Sequence, residues 1–183
     1  MEPEEVASAF DILHKEGKVK YFGVSNQNRG QIELLQKYIN QKLIVNQLQF
    51  SIMHSGIIDN GLNVNMKNDN SINRDDGILE YCRLNDITIQ AWSPFQYGFF
   101  EGVFLNNDKF KELNILINKL ANKYNVMDTA IATAWILRHP AKIQVIIGTM
   151  NSKRISDISE ASNIFLTREE WYDIYRTAGN IIP

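Results

Sequence analysis

Lys18-Val-Lys-Tyr-Phe-Gly-Val-Ser-Asn26 is the stretch from which the fold can be read. Val19, Tyr21, Phe22 and Val24 are β-branched or aromatic, follow a helix stop at Gly17, and run into the polar, glycine-containing segment Gln27-Asn28-Arg29-Gly30. That pattern predicts a short buried strand, Lys18–Ser25, which delivers Ser25 and Asn26 at its C-terminal end. In parallel α/β sheets ligands bind at that end of the strands. Further strands ending in Asn46-Gln47, in Trp92-Ser93-Pro94 and in Gly148-Thr149 repeat the arrangement. Four polar strand ends are thereby expected on one face.

On the N-terminal side, Pro3 fits the first turn of a helix and Glu4 and Glu5 suit the positive end of its dipole. Val6, Ala9, Phe10 and Leu13 give that helix its apolar stripe. On the C-terminal side, a helix over 29–40 (Ile32, Leu35, Ile39) leads to a strand over 43–50. Alternating helices and strands imply right-handed crossovers and a parallel sheet. Residues 51–73, rich in Asn and containing Gly56 and Gly61, break the rhythm. They read as an excursion with one helical turn at 56–59, either contributing substrate contacts or forming a poorly ordered insertion. Asp75 or Asp76 then caps a helix through Asn85, and Ile87–Trp92 is the third strand. The loop from Phe95 to Gly102 carries aromatics, Phe99 and Phe100 among them, that could cover a ligand, and glycines that let backbone approach one. Helices over 108–124 and 128–138, a strand over 142–147 and a short helix over 152–159 follow. A last helix through Arg176 is capped by Thr167, with Glu170 at capping-box spacing. No repeat or linker composition divides the chain, so residues 1–183 are expected to form a single domain.

The composition is that of an ordinary globular protein, with 44% hydrophobic and 22% charged residues over 183 positions. A net charge of −2 with interspersed signs gives no reason to expect nucleic acid or a membrane as partner. Cys82, the only cysteine, lies at helical spacing with Ile78 and Leu79 and reads as a buried apolar thiol. No apolar run approaches the ~20 residues that span a bilayer. The acidic N-terminus, Met1-Glu-Pro-Glu-Glu5, is unlike a signal or transit peptide, so a cytoplasmic location is expected.

Several segments together resemble the aldo-keto reductase family of NADP(H)-dependent (β/α)8 barrels, in that family's order. They are 17–26 (Gly-Lys-Val-Lys-Tyr-Phe-Gly-Val-Ser-Asn), Asn46-Gln47, 90–95 (Gln-Ala-Trp-Ser-Pro-Phe), 134–141 (Ala-Trp-Ile-Leu-Arg-His-Pro-Ala) and 146–149 (Ile-Ile-Gly-Thr), with Arg154 beyond. Trp-Ser-Pro is similar to a bacterial oxidoreductase subgroup. The resemblance implies an α/β fold, a partial TIM barrel of about four parallel strands corresponding to strands five to eight. The family's catalytic Asp, Tyr, Lys and His lie on the first four strands, and no residue here matches them. The chain is thus expected to be a truncated, cofactor-binding half of an enzyme that reduces small-molecule aldehydes or ketones, with no catalytic residues of its own and inactive alone.

Carried over position by position, the resemblance implies that Ser25, Asn26 and Gln47 hydrogen-bond the nicotinamide carboxamide and that Trp92 stacks on its ring. Ser93, Phe95 and Gly98 would line the pyrophosphate path. Gly148, Thr149 and Asn151 would meet the 2′-phosphate region at a helix N-terminus, with Arg154 paired to that phosphate or stacked on adenine. Gly148 and Ile158 stand where many relatives carry Lys and Asn, so NADP is expected over NAD but both stay open. Structural alternatives also stay open: Ser25-Asn26 as a turn, Gln47 with a structural partner, Trp92 in the core, Arg154 as a solvated charge. Trp135 and Trp171 read as packing residues. His14, His54 and His139 share no metal-ligand spacing, and His139 near a helix C-terminus would favour its cationic form. A phosphate-binding barrel isomerase would account for Gly148-Thr149 but not for the Ser-Asn and Gln clamp. A reading from another class is a non-catalytic half-barrel that binds a nucleotide or a partner, completed by the missing N-terminal half or by a second copy.

Overall fold

Helix α1 spans Pro3–Lys15, with proline in its first turn beside Glu4 and Glu5. Val6, Phe10 and Leu13 face the core. Its C-terminal end explains why β1 is short. Gly17 adopts φ +68°, and the amides of both Lys18 and Val19 return to the Leu13 carbonyl at 3.0 and 3.3 Å. Those residues complete the helix terminus, so strand β1 covers only Phe22–Ser25 rather than starting at Lys18. A computed structural model describes residues 2–99 and 101–183 of this chain.

Helix α2 (Arg29–Tyr38) opens on a capping box between Asn28 and Gln31 and buries Ile32 and Leu35. It ends before residue 40 because Ile39 turns extended while its amide still reaches the Leu35 carbonyl. Strand β2 is Leu43–Gln49. The excursion that follows is ordered: helix α3 (Gly56–Leu62) is longer than a single turn. The buried Asn63 holds the Asp59 carbonyl at 2.9 Å and the Ile181 carbonyl at 3.4 Å. Helix α4 (Ile78–Leu84) starts after Gly77 in the left-handed region, and neither Asp75 nor Asp76 is its N-cap residue. Asp75 acts one step earlier, accepting the Gly77 amide at 3.1 Å. Strand β3 (Thr88–Trp92) is followed by α5 (Lys111–Tyr124), α6 (Asp128–Leu137), β4 (Gln144–Val145), α7 (Ser152–Ser159) and α8 (Arg168–Thr177). A 3-10 turn at Asp108–Phe110 takes the place of the expected first turn of α5.

The four strands form one parallel sheet in the order β1-β2-β3-β4. Strand β4 is shorter than expected because Lys142 adopts φ +54°, closing a turn on the His139 carbonyl. One face of the sheet presents Leu48, Ile89, Ala91 and the buried Asn46 to the core. The alternating positions Val45, Gln47, Thr88, Gln90 and Trp92 form the other, half-exposed face. Helix α6 is apolar on all sides, buried from Ala130 to Ile136, as expected of a helix enclosed by others. Trp135 and Trp171 stack at 4.9 Å with their planes 5° apart, and each indole N–H donates to the other residue's carbonyl at 3.1 and 3.0 Å. Both are packing residues, and the exchange satisfies two buried donors at once.

Candidate functional site: the polar strand ends

At the C-terminal end of β1 the chain turns through Asn26 at φ +52°. The turn is fixed because the Gln47 carbonyl accepts both the Asn26 amide at 2.8 Å and the Ser25 hydroxyl at 3.3 Å. Asn46, on the opposite face of β2, ties down the next residue by donating to the Gln27 carbonyl at 2.8 Å. The Asn26 side chain is then free to cross the sheet. Its Oδ1 accepts the Trp92 indole N–H at 3.2 Å, across the intervening strand β2. An indole N–H only donates, so this bond fixes which way the amide points and leaves Asn26 Nδ2 as an outward donor.

Gln47 is held from the other side. Its Nε2 donates to Gln90 Oε1 at 2.8 Å, and Gln90 Nε2 donates to Gln144 Oε1 at 3.0 Å. These glutamines pair directly in the register of β2, β3 and β4, so they form a ladder on the half-exposed face. Among the described residues no hydrogen bond reaches Gln47 Oε1. Trp92 is half-buried rather than in the core, and its ring meets Phe99 edge-on at 6.1 Å.

The loop after β3 folds back on itself. Ser93 takes φ +51°, and its carbonyl accepts the Gln96 amide at 3.1 Å. The Phe95 carbonyl accepts the Phe104 amide at 3.0 Å, and Tyr97 and Gly102 are bonded at 3.1 Å. Gly98 is buried, with its carbonyl accepting from Gln49 Nε2 at 3.0 Å. A Cβ at Gly98 would fall 2.5 Å from the Glu101 carboxyl, so Glu101 occupies the space in front of this glycine. Phe100 lies outside the described residues. Beyond β4, Gly148 is open, with nothing near the place of a missing Cβ. Thr149 Oγ1 accepts the Asn151 amide at 3.2 Å, and Asn151 caps α7 by accepting the Arg154 amide at 3.1 Å. Arg154 is exposed and, among the described residues, makes no ion pair.

Ser25, Asn26, Gln47 and Trp92 thus converge through hydrogen bonds, whereas Gly148, Thr149, Asn151 and Arg154 form a separate group at the start of α7. Gln90 and Gln144 escaped the sequence reading. Their signal was present: in Thr88-Ile-Gln-Ala-Trp92 the polar residues alternate with Ile89 and Ala91 and share a face with Trp92. Titratable groups elsewhere behave as structural ones. Burial pushes the Cys82 thiol up to about 11, with Asn46 beside it pulling the other way. His139 departs from expectation: burial first, and Arg83 second, push it down to about 4, so it is neutral at the end of α6 rather than a cation.

Amide, hydroxyl and indole groups thus gather at the strand ends of a parallel α/β sheet. The sequence matches the Aldo/keto reductase family over residues 1–177, and the chain belongs to that family. It is 30% identical to a 6-dehydroglucose reductase of Agrobacterium fabrum over 179 residues, covering 97% of this chain and 53% of that protein. It is 26% identical over 170 residues to an NADPH-dependent alpha-keto amide reductase of Saccharomyces cerevisiae, covering 91% of this chain and 46% of that one. The fold is similar to the crystal structure of the thermostable aldo-keto reductase Tm1743, with a TM-score of 0.70 and 22% identity over 97% of this chain and 55% of that one. The chain spans about half the length of the curated relatives it matches. Among the described residues no helix is long and apolar enough to cross a membrane.

Proposed function

We propose that this chain supplies the cofactor-binding half of an NADP(H)-dependent carbonyl reductase, corresponding to strands five to eight of an eight-stranded barrel. The observation that carries this is the convergence of Asn26, Gln47 and Trp92 at adjacent strand ends, held by the Trp92–Asn26 bond. A primary carboxamide offers one acceptor and one donor pair. Asn26 Nδ2 provides the matching donor, Gln47 Oε1 the matching acceptor, and the half-exposed Trp92 ring a flat apolar surface. The residues present therefore fit a nicotinamide. When bound, that cofactor supplies the hydride. This chain's residues would bind its carboxamide, fix which ring face is presented and, through Trp92 and the folded loop after β3, exclude water from it. Arg154 and the start of α7 suit a phosphate on the far end of the cofactor, Arg154 being unpaired and Gly148 open. The strand ends assembled here carry amides, a hydroxyl and an indole, and the proton donor for the carbonyl oxygen would come from the other half of the barrel.

The edges of β1 and β4 support that reading, because among the described residues no strand pairs beyond either of them. NADPH titration followed by tryptophan fluorescence tests the cofactor assignment. Saturable quenching that Trp92→Phe abolishes is the expected result. Quenching that survives in that variant, or none in a folded sample, would overturn it.

A further inference from the structure

His139 and Pro140 lead into the N-terminal end of β4, the end of the sheet opposite Asn26 and Trp92, and there they line a second cleft of about 380 Å³. Arg83 of α4, Arg138 after α6 and Arg168 at the start of α8 also line it, beside Trp171. In a chain of net charge −2, three guanidiniums facing one cleft with a single carboxylate, Glu80, is a local excess of positive charge. Among the described residues neither Arg83 nor Arg168 makes an ion pair. Arg138 is anchored instead: its Nε donates to the Leu166 carbonyl at 3.0 Å, and its guanidinium lies 4.4 Å from the centre of the Phe165 ring. That leaves its terminal N–H groups available in a fixed place. The His139 Nδ1 atom accepts the Ala141 amide at 3.2 Å, so the other ring nitrogen of the neutral imidazole is a donor as well. The terminus of α8 is not the attracting group, since its capping box already occupies the Glu170 amide.

We propose that this cleft binds a small phosphomonoester, its phosphate oxygens held by Arg83 and Arg168 and its organic part lying against the half-buried Tyr172, which also lines it. Guanidiniums take phosphate oxygens in paired, charge-assisted hydrogen bonds, and the phenol ring of Tyr172 is the aromatic group left for an organic part, since the Trp171 ring is stacked on Trp135 and Tyr175. The site is separate from the cofactor face, at the other end of the strands. Its ligand class follows from donors and positive charge outnumbering acceptors around a cleft beside Tyr172.

Amide and indole NMR signals of the 183-residue chain, followed during titration with inorganic phosphate and with phenyl phosphate in chloride-poor buffer, test it. A saturable shift of the Trp171 indole signal is expected, tighter for phenyl phosphate than for inorganic phosphate. Arg83→Gln and Arg168→Gln, both on the surface, should each weaken it roughly tenfold while thermal unfolding stays unchanged. Arg154→Gln should leave it as it is. A shift that Arg154→Gln abolishes would place the anion at the start of α7 and overturn the proposal, as would an absent shift or one indifferent to Arg83 and Arg168. Inorganic phosphate binding as tightly as phenyl phosphate would overturn the assigned ligand class.

Discussion

Single residues of this protein are set by partners far away in sequence. Gln90 is the clearest case, since it bonds Gln47 on one side and Gln144 on the other. Gln90→Leu should weaken NADPH binding roughly three- to tenfold, the loss of about one neutral hydrogen bond's support for Gln47. Comparing dissociation constants at matched stability checks it. Asn26→Asp should weaken it more, because the outward donor becomes a carboxylate. His139 governs a pH dependence. Its folded-state value of about 4 lies below the ordinary 6.5, so between those values the unfolded chain binds a proton that the folded one does not. Stability should therefore fall as pH drops from 6.5 toward 4, and His139→Gln should flatten that fall in thermal denaturation curves. Little of this was legible in sequence. Ser25, Asn26 and Trp92 stood out as polar or aromatic residues at strand ends, but the ladder depends on the register of strands 43 and 54 residues apart. Likewise, the neutral state of His139 depends on burial and on Arg83 from another helix.

Elements were more legible than residues. Apolar periodicity placed every strand and the long helices, and Thr167 with Glu170 marked the start of α8, where the capping box is formed. Where boundaries differ, a backbone conformation decides. Gly17 and the amides behind it delay β1, and Lys142 at φ +54° delays β4. The 51–73 excursion was the least readable element, because its order comes from elsewhere in the chain. The Tyr175 hydroxyl donates to Asp59 Oδ1 at 2.7 Å, joining α8 to α3. Burial and this bond together push the Tyr175 phenol well above the ordinary range, so it stays protonated as a donor. Tyr175→Phe should cost about 1.5–3 kcal/mol, the range for a hydrogen bond to a charged group, read from urea unfolding. It should also raise the protease sensitivity of 56–73.

At the scale of the molecule, a four-stranded parallel sheet with one face in the core and one half-exposed is an open sheet rather than a closed barrel, the shape one wall of a barrel would have. If the other wall is the relatives' N-terminal half, mixing this chain with that separate polypeptide should give a one-to-one complex by sedimentation. NADPH-dependent carbonyl reduction should appear only in the mixture. A discrete dimer of this chain that ignores the added half would instead favour a second copy as the occupant. The stacked pair of Trp135 and Trp171 bears on how any such assembly can be watched. Two nearly parallel indoles in contact couple their strong electronic transitions, so the folded α6–α8 pair should carry its own ultraviolet circular dichroism signature. Trp92, the remaining indole, stands outside that pair. One chain thus carries two optical channels, a coupled one that reports whether the helices are assembled and a solitary one that reports what happens at the strand ends.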